Sequence, residues 1–187
     1  MAVAPRVRRF TVDEYERMVD ARVFAPHDRI ELIEGEIIEM APIGPPHESA
    51  VDRLNMLLCR RVGDRAIVRV QGSVRFRALR SRPQPDLAVL RPRADYYRAS
   101  GPTADDILLL IEVMDTSVDY DRRTKAPLYA RAGVGELWLV DIPAGLVEVH
   151  RDPAPAGYRD VRTLGAADTV TPRAFSDLTL RLPEILG

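Results

Sequence analysis

Three side chains in the middle of this 187-residue sequence have types and spacing that could do chemistry: Asp86, Glu112 and Lys125. Asp86 heads an apolar run, Leu87-Ala-Val-Leu90, and Glu112 ends a longer one, Ile107-Leu-Leu-Leu-Ile111. A carboxylate set into an apolar segment is costly unless a cation or a donor stands beside it. Lys125 is the only lysine in a chain whose Lys+Arg total is 27, so 27 − 1 = 26 of its strong bases are arginine. Arginine replaces lysine as a solvated charge, but not as a compact ammonium on a flexible stem. The lone lysine is therefore either an accident of composition or a position that needs that ammonium. If the strands bearing Asp86 and Glu112 are neighbours, the two acids meet at one end of a sheet. Their repulsion is what a divalent cation relieves, and amide replacement of either acid should stabilise the metal-free chain. Oxygen donors that leave room for water suit Mg2+ or Mn2+. Such an ion polarises a phosphodiester oxygen and lowers the pKa of bound water. Zinc is not indicated, because His27, His47, His150 and Cys59 show no ligand spacing. Dinucleotide-binding, Walker and Gly-x-Ser-x-Gly motifs are absent from the sequence.

The elements that must position these residues alternate between helix and strand. Thr11-Val-Asp-Glu14 has the capping-box pattern and opens a helix through about Val19. Arg29 to Met40 reads as a hairpin turning at Glu34-Gly35. Its glutamates, Glu31 among them, either point inward or line a wet face. A helix follows from about His47 to Val62, stopped by Gly63. His47 sits in its first turn, where an imidazole either faces a site or faces solvent. Ala66 to Gln71 and Ser73 to Arg77 alternate like half-buried strands, with Gly72 a bulge or bend. Pro85 lacks a ladder donor and belongs at a strand start, which puts Asp86 at the mouth of a central strand. Arg91 to Thr103 is irregular. Asp115 to Asp121 reads as a polar connection, and Thr124 caps a helix to Ala132 with Pro127 in its first turn. Glu136 to Asp141 is a further strand, Leu146 to Arg151 and Tyr158 to Leu164 a hairpin, and Phe175 to Leu186 a closing strand and turn. The expectation is one domain over 1–187.

With 46% hydrophobic and 29% charged residues, the composition is that of an ordinary soluble protein. The single cysteine excludes an intrachain disulfide and suits a reducing cytoplasm. No apolar run approaches the roughly 18 residues a membrane span needs. The net charge of −1 argues against a simple polyanion binder, yet its distribution is uneven. From Arg60 to Arg98 eleven arginines face three acids, 11 − 3 = +8, which leaves −9 for the remainder. These arginines, Arg75 and Arg77 among them, either form a basic face toward nucleic acid or are solvated residues of edge strands.

Gln84-Pro85-Asp86 before a strand, followed by Ile111-Glu112-Val113, resembles the PD-(D/E)xK nuclease signature. The wider pattern is similar to the Uma2 family of restriction-endonuclease-like proteins. It includes Glu31-Leu-Ile-Glu-Gly-Glu36, the Pro-Pro-His47 helix start, Tyr120-Asp-x-x-x-Lys125, Leu-Tyr-Ala-Arg-Ala-Gly133 and Trp138-Leu-Val-Asp141, and spans about Phe10 to Leu182. The resemblance implies an α/β fold in which helices flank a mixed central sheet of restriction-endonuclease-like type, with an added N-terminal helix and hairpin. It also implies divalent-metal-dependent cleavage of nucleic acid. DNA is the expected substrate and a cytoplasmic homodimer the expected form, with no membrane partner. Asp86 and Glu112 would be the metal ligands, the Val113 carbonyl a third, and Lys125 the positive group. Glu31 and His47 are auxiliary candidates. One departure stands out: the simplest signature puts its lysine two residues after the glutamate, where this chain has Met114. A thioether supplies no positive charge, so either the site is inactive or the lysine has moved to Lys125 on the facing helix. The rivals are a catalytically inactive nuclease-fold binding or interaction module, and a structural component whose buried acids are paired with arginines.

Overall fold

The computed structural model describes residues 6–187. The chain divides into two compact units, one holding the chain up to Pro42 together with Arg75–Pro83, the other Ile43–Val74 with Gln84–Gly187.

The first unit begins with α1 (Val12–Asp20), set by the expected capping box. The Glu14 N–H donates to Thr11 Oγ1 at 3.2 Å, and the Thr11 N–H returns a bond to Glu14 Oε2 at 2.9 Å. Strands β1 (Ile30–Ile33) and β2 (Glu36–Glu39) form the antiparallel hairpin. Glu34 and Gly35 turn it with φ of 50° and 84°, the left-handed pair a tight hairpin needs. A Cβ on Gly35 would stand 2.6 Å from Arg9 Cβ, so this glycine also makes room for the incoming chain. Val12, Tyr15 and Leu32 form the unit's small core, with Phe10, Phe24, Ile30 and Ile37 packed on it.

The second unit opens with α2 (Pro45–Val62), whose prolines occupy first-turn positions where no intrahelical donor is required. Then come β3 (Ile67–Val70), β4 (Leu87–Leu90) and β5 (Ile107–Met114). The crossover consists of α3 (Val118–Tyr120), a π turn over Asp121–Lys125 and α4 (Ala126–Ala132). After it come β6 (Glu136–Asp141), β7 (Leu146–Ala154), β8 (Gly157–Leu164), a small antiparallel pair of β9 (Thr169–Val170) and β10 (Leu180–Arg181), and α5 (Leu182–Leu186). The six-stranded sheet runs β3-β4-β5-β6-β7-β8. Neighbours are antiparallel except β5 and β6, whose parallel pairing requires the helical crossover between them. Leu109, Ile111 and Val113 of β5 join Leu87, Val89, Trp138 and Val140 in the core beneath Val51, Leu54 and Leu58 of α2. Burying a Val, Leu or Ile side chain contributes about 1.5–3 kcal/mol each, so this face anchors β5 firmly.

Two expectations need correction. The helix after β5 does not start at a Thr124 cap; helical structure begins at Val118, inside the stretch read as a polar connection. Pro127 explains the form it takes. It offers no N–H to the Arg123 carbonyl four residues back and its ring crowds that carbonyl, and beside it the chain widens into a π turn in which the Ala126 N–H reaches Asp121 O. Nor does Ser73 to Arg77 form a strand. Gln71 leaves β3 with φ 47°, and further on Arg77–Leu79 is a 3-10 turn closed by Arg80 at φ 48°. The alternation there belongs to a loop whose arginines turn onto α1: Arg75 and Arg82 pair with Glu16, and Arg77 with Asp13.

Candidate active site

Sheet register brings the two acids together. Leu87 of β4 stands opposite Ile111 of β5, so Asp86 and Glu112 each lie one step further along, at the same end. The Asp86 N–H donates to Glu112 Oε2 at 3.3 Å, and the Val113 N–H donates to Asp86 Oδ2 at 2.8 Å. Because side chains alternate along a strand, the burial of Ile111 and Val113 under α2 turns Glu112 to the opposite face, toward α4. His47, buried in the first turn of α2, lies with Nε2 3.1 Å from the same Asp86 Oδ2.

The crossover supplies the remaining groups. Lys125, 3% exposed, ends the π turn with Nζ 3.2 Å from Glu112 Oε1 and 3.9 Å from Asp121 Oδ1. Tyr129, one turn further on, is wholly buried, and its hydroxyl donates to Glu112 Oε1 at 2.5 Å. The Ser117 hydroxyl in turn donates to Asp121 Oδ2 at 2.5 Å. Arg122 points elsewhere, to Glu148 at 2.7 Å and Asp141 at 2.7 Å. Its hydrogen bond to Glu148, more than any other influence, holds the guanidinium above its ordinary range.

Five of the residues singled out in the sequence therefore meet in the second unit: His47, Asp86, Glu112, Val113 and Lys125. Glu31 is buried on β1 of the first unit, and Arg75 and Arg77 belong to that unit as well. Sequence reasoning missed Tyr129, Asp121 and Ser117. The signal for two of them was present, since Asp121 and Tyr129 stand four residues before and after Lys125, where helical neighbours meet.

Among the described residues no three His, Cys, Asp or Glu side chains stand together as a metal-ligand group. The donor set is thinner and all oxygen. Both hydrogen bonds to the Asp86 carboxylate fall on Oδ2, so Oδ1 accepts none from the described residues. Glu112 lies beside it. The N–H and C=O of a strand residue point to the same side, so the Val113 carbonyl faces the side on which its N–H meets Asp86. Two carboxylates and a carbonyl, completed by water, fit Mg2+ or Mn2+, which keep several waters and take few protein ligands.

A family model described as "Uma2: Putative restriction endonuclease" matches residues 12–183 of the chain. Among solved structures, the chain is similar to a crystal structure described as a putative nuclease belonging to DUF820, from Anabaena variabilis ATCC 29413. The likeness has a TM-score of 0.73 at 18% identity and covers 95% of this chain and 97% of that one, which shows a shared fold. None of the curated proteins matches.

Proposed function

The chain belongs to the Uma2 family, and from that premise we propose that it is a metal-dependent nuclease that hydrolyses phosphodiester bonds of nucleic acid, DNA before RNA. The observation that carries this reading is the meeting of Asp86, Glu112 and Lys125 at one end of the sheet, with both acids and the lysine buried. Stability alone does not account for such a pair. Replacing a buried ion pair by well-packed apolar residues is often neutral or gains about 1–4 kcal/mol, so a lone lysine kept there points to a task.

In this reading Asp86, Glu112 and the Val113 carbonyl hold a divalent ion, which when bound would polarise the phosphodiester and acidify its water. His47 and the Val113 N–H fix the Asp86 carboxylate through Oδ2. Lys125 takes the place that Met114 cannot fill, setting an ammonium at Glu112 where negative charge develops on the phosphate. Glu31 and His47 are kept as auxiliary residues, and Arg75 and Arg77 as backbone-binding candidates. The proposal extends to a homodimer acting in the cytoplasm, a reducing compartment that suits the free Cys59. No helix among the described residues is long and apolar enough to cross a membrane.

Met114 at the usual lysine position favours a second reading, an inactive nuclease fold that binds nucleic acid or a protein without cutting. One experiment separates the two: the purified chain is incubated with supercoiled DNA, linear DNA and RNA under Mg2+, Mn2+ or chelator. Metal-dependent products that vanish in Asp86→Asn support the nuclease, and binding without products on every substrate supports the module.

A further inference from the structure

Glu112 Oε1 faces two donors of different character, both on the crossover helix. Lys125 is a point charge on a flexible stem, which attracts the carboxylate without fixing its rotation. Tyr129 is a rigid ring with no exposed surface, and its hydroxyl meets Oε1 at 2.5 Å. The terminal torsion of a glutamate is broad and roughly two-fold, so a carboxylate held by charge alone can turn. Resting on the metal-site reading above, we propose that Tyr129 is the positioning residue of that site. Its hydroxyl pins Oε1 to the helix side and thereby holds Oε2, which takes the Asp86 N–H, on the side of the residue that bears the second carboxylate. Lys125 supplies the charge and Tyr129 the orientation. Both reach Glu112 from one helical face, four residues apart, across the end of the π turn.

The readout is metal affinity rather than turnover. Tyr129→Phe removes one oxygen and keeps the ring. Replacing Tyr129 with 4-fluorophenylalanine fills the hydroxyl's volume without its donor, and serves if the phenylalanine variant does not fold. Loss of such an orienting partner typically costs 10–100-fold in metal affinity, so Mn2+ titration by calorimetry should show a weakening of about tenfold or more for either variant. Tyr158→Phe is the control, because it removes a hydroxyl bonded at 2.9 Å to the Val134 carbonyl, and should keep the parental affinity. A variant at position 129 that loses thermal stability but binds Mn2+ as the parent does would show a merely structural hydroxyl and overturn the proposal. A parent with no Mn2+ binding that depends on Asp86 would instead remove the metal reading, and the role of Tyr129 with it.

Discussion

Glu112 and Glu136 are each 1% exposed, on neighbouring strands of the central sheet, yet their surroundings differ in kind. Glu136 is held by rigid donors on both oxygens. The Trp138 indole N–H reaches Oε1 at 2.9 Å, Arg151 adds bonds of 3.0 and 2.6 Å to the same atom, and the Arg173 N–H meets Oε2 at 2.6 Å. Among the described residues no second acid is hydrogen-bonded to it. Nearby Tyr158 is pushed far above the ordinary phenol range, by burial first and by the Glu136 charge second. Glu112 is held by a lysine and a phenol, and its other oxygen lies against the residue that carries a second carboxylate. A planar guanidinium locks a carboxylate for structure, whereas an ammonium beside two acids leaves a site whose charge can be used. The rival in which buried acids are paired with arginines thus describes Glu136 well and Glu112 poorly.

The comparison breaks most sharply under amide substitution. Asp86→Asn and Glu112→Gln should each reduce metal-dependent cleavage to background, measured on plasmid DNA. Glu136→Gln should leave cleavage per folded molecule at the parental level while lowering stability in urea unfolding, because it weakens the buried acceptor of Trp138 and of the half-buried Arg151. If Glu136→Gln abolished cleavage in folded protein, the two glutamates would not be divided as argued. From the sequence, amide replacement of either acid is expected to relieve repulsion and stabilise the metal-free chain. The structure points the other way for Glu112, whose replacement would take the nearer of two carboxylates from the buried Lys125; Glu112→Gln should lower the metal-free melting temperature.

Next in size is the lysine. Lys125→Ala should cost about 10²–10³ in turnover, as loss of one charge-stabilising donor does, while Mn2+ still binds. Lys125→Arg should be nearly as poor, since the planar fork does not fill a point-charge site. Met114→Lys in the Lys125→Ala background should recover part of the rate. Met114 is buried on the same strand face as Glu112, two residues on. Absence of any recovery in a folded double variant would separate the two positions.

Much of this arrangement was legible in the residues, for reasons that differ by element. The buried run before Glu112 and the proline before Asp86 state their strands plainly, and the lone lysine marks itself by composition. The π turn is not written in helical periodicity. Apolar spacing predicts a regular α-helix, whereas Pro127 lacks a donor for the carbonyl four residues upstream and crowds it with its ring, next to the widened turn. Tyr129 reads as one more apolar position of a stripe until the carboxylate opposite it is known. Ser73 to Arg77 misleads because alternation alone cannot tell a sheet ladder from arginines drawn to Asp13 and Glu16 on a helix.

The smallest effect concerns those arginines. Arg75 is tied to Glu16 at 2.5 Å and about one-fifth exposed, while Arg77 is 56% exposed. If the first unit meets the nucleic-acid backbone, Arg77→Glu should flatten the dependence of log K on log salt by about 0.9, the share of one phosphate contact, and Arg75→Glu should change it less. Equal slopes in parent and both variants, read by fluorescence anisotropy over a salt series, would assign both arginines to α1.

The central claim is that the acids of β4 and β5 hold a divalent ion and that Glu136 does not. Calorimetric titration of Mn2+ into the parent, Asp86→Asn and Glu136→Gln tests it most directly. The account predicts binding by the parent, loss in Asp86→Asn, and parental affinity in folded Glu136→Gln. Binding by Asp86→Asn at the parental affinity would contradict it.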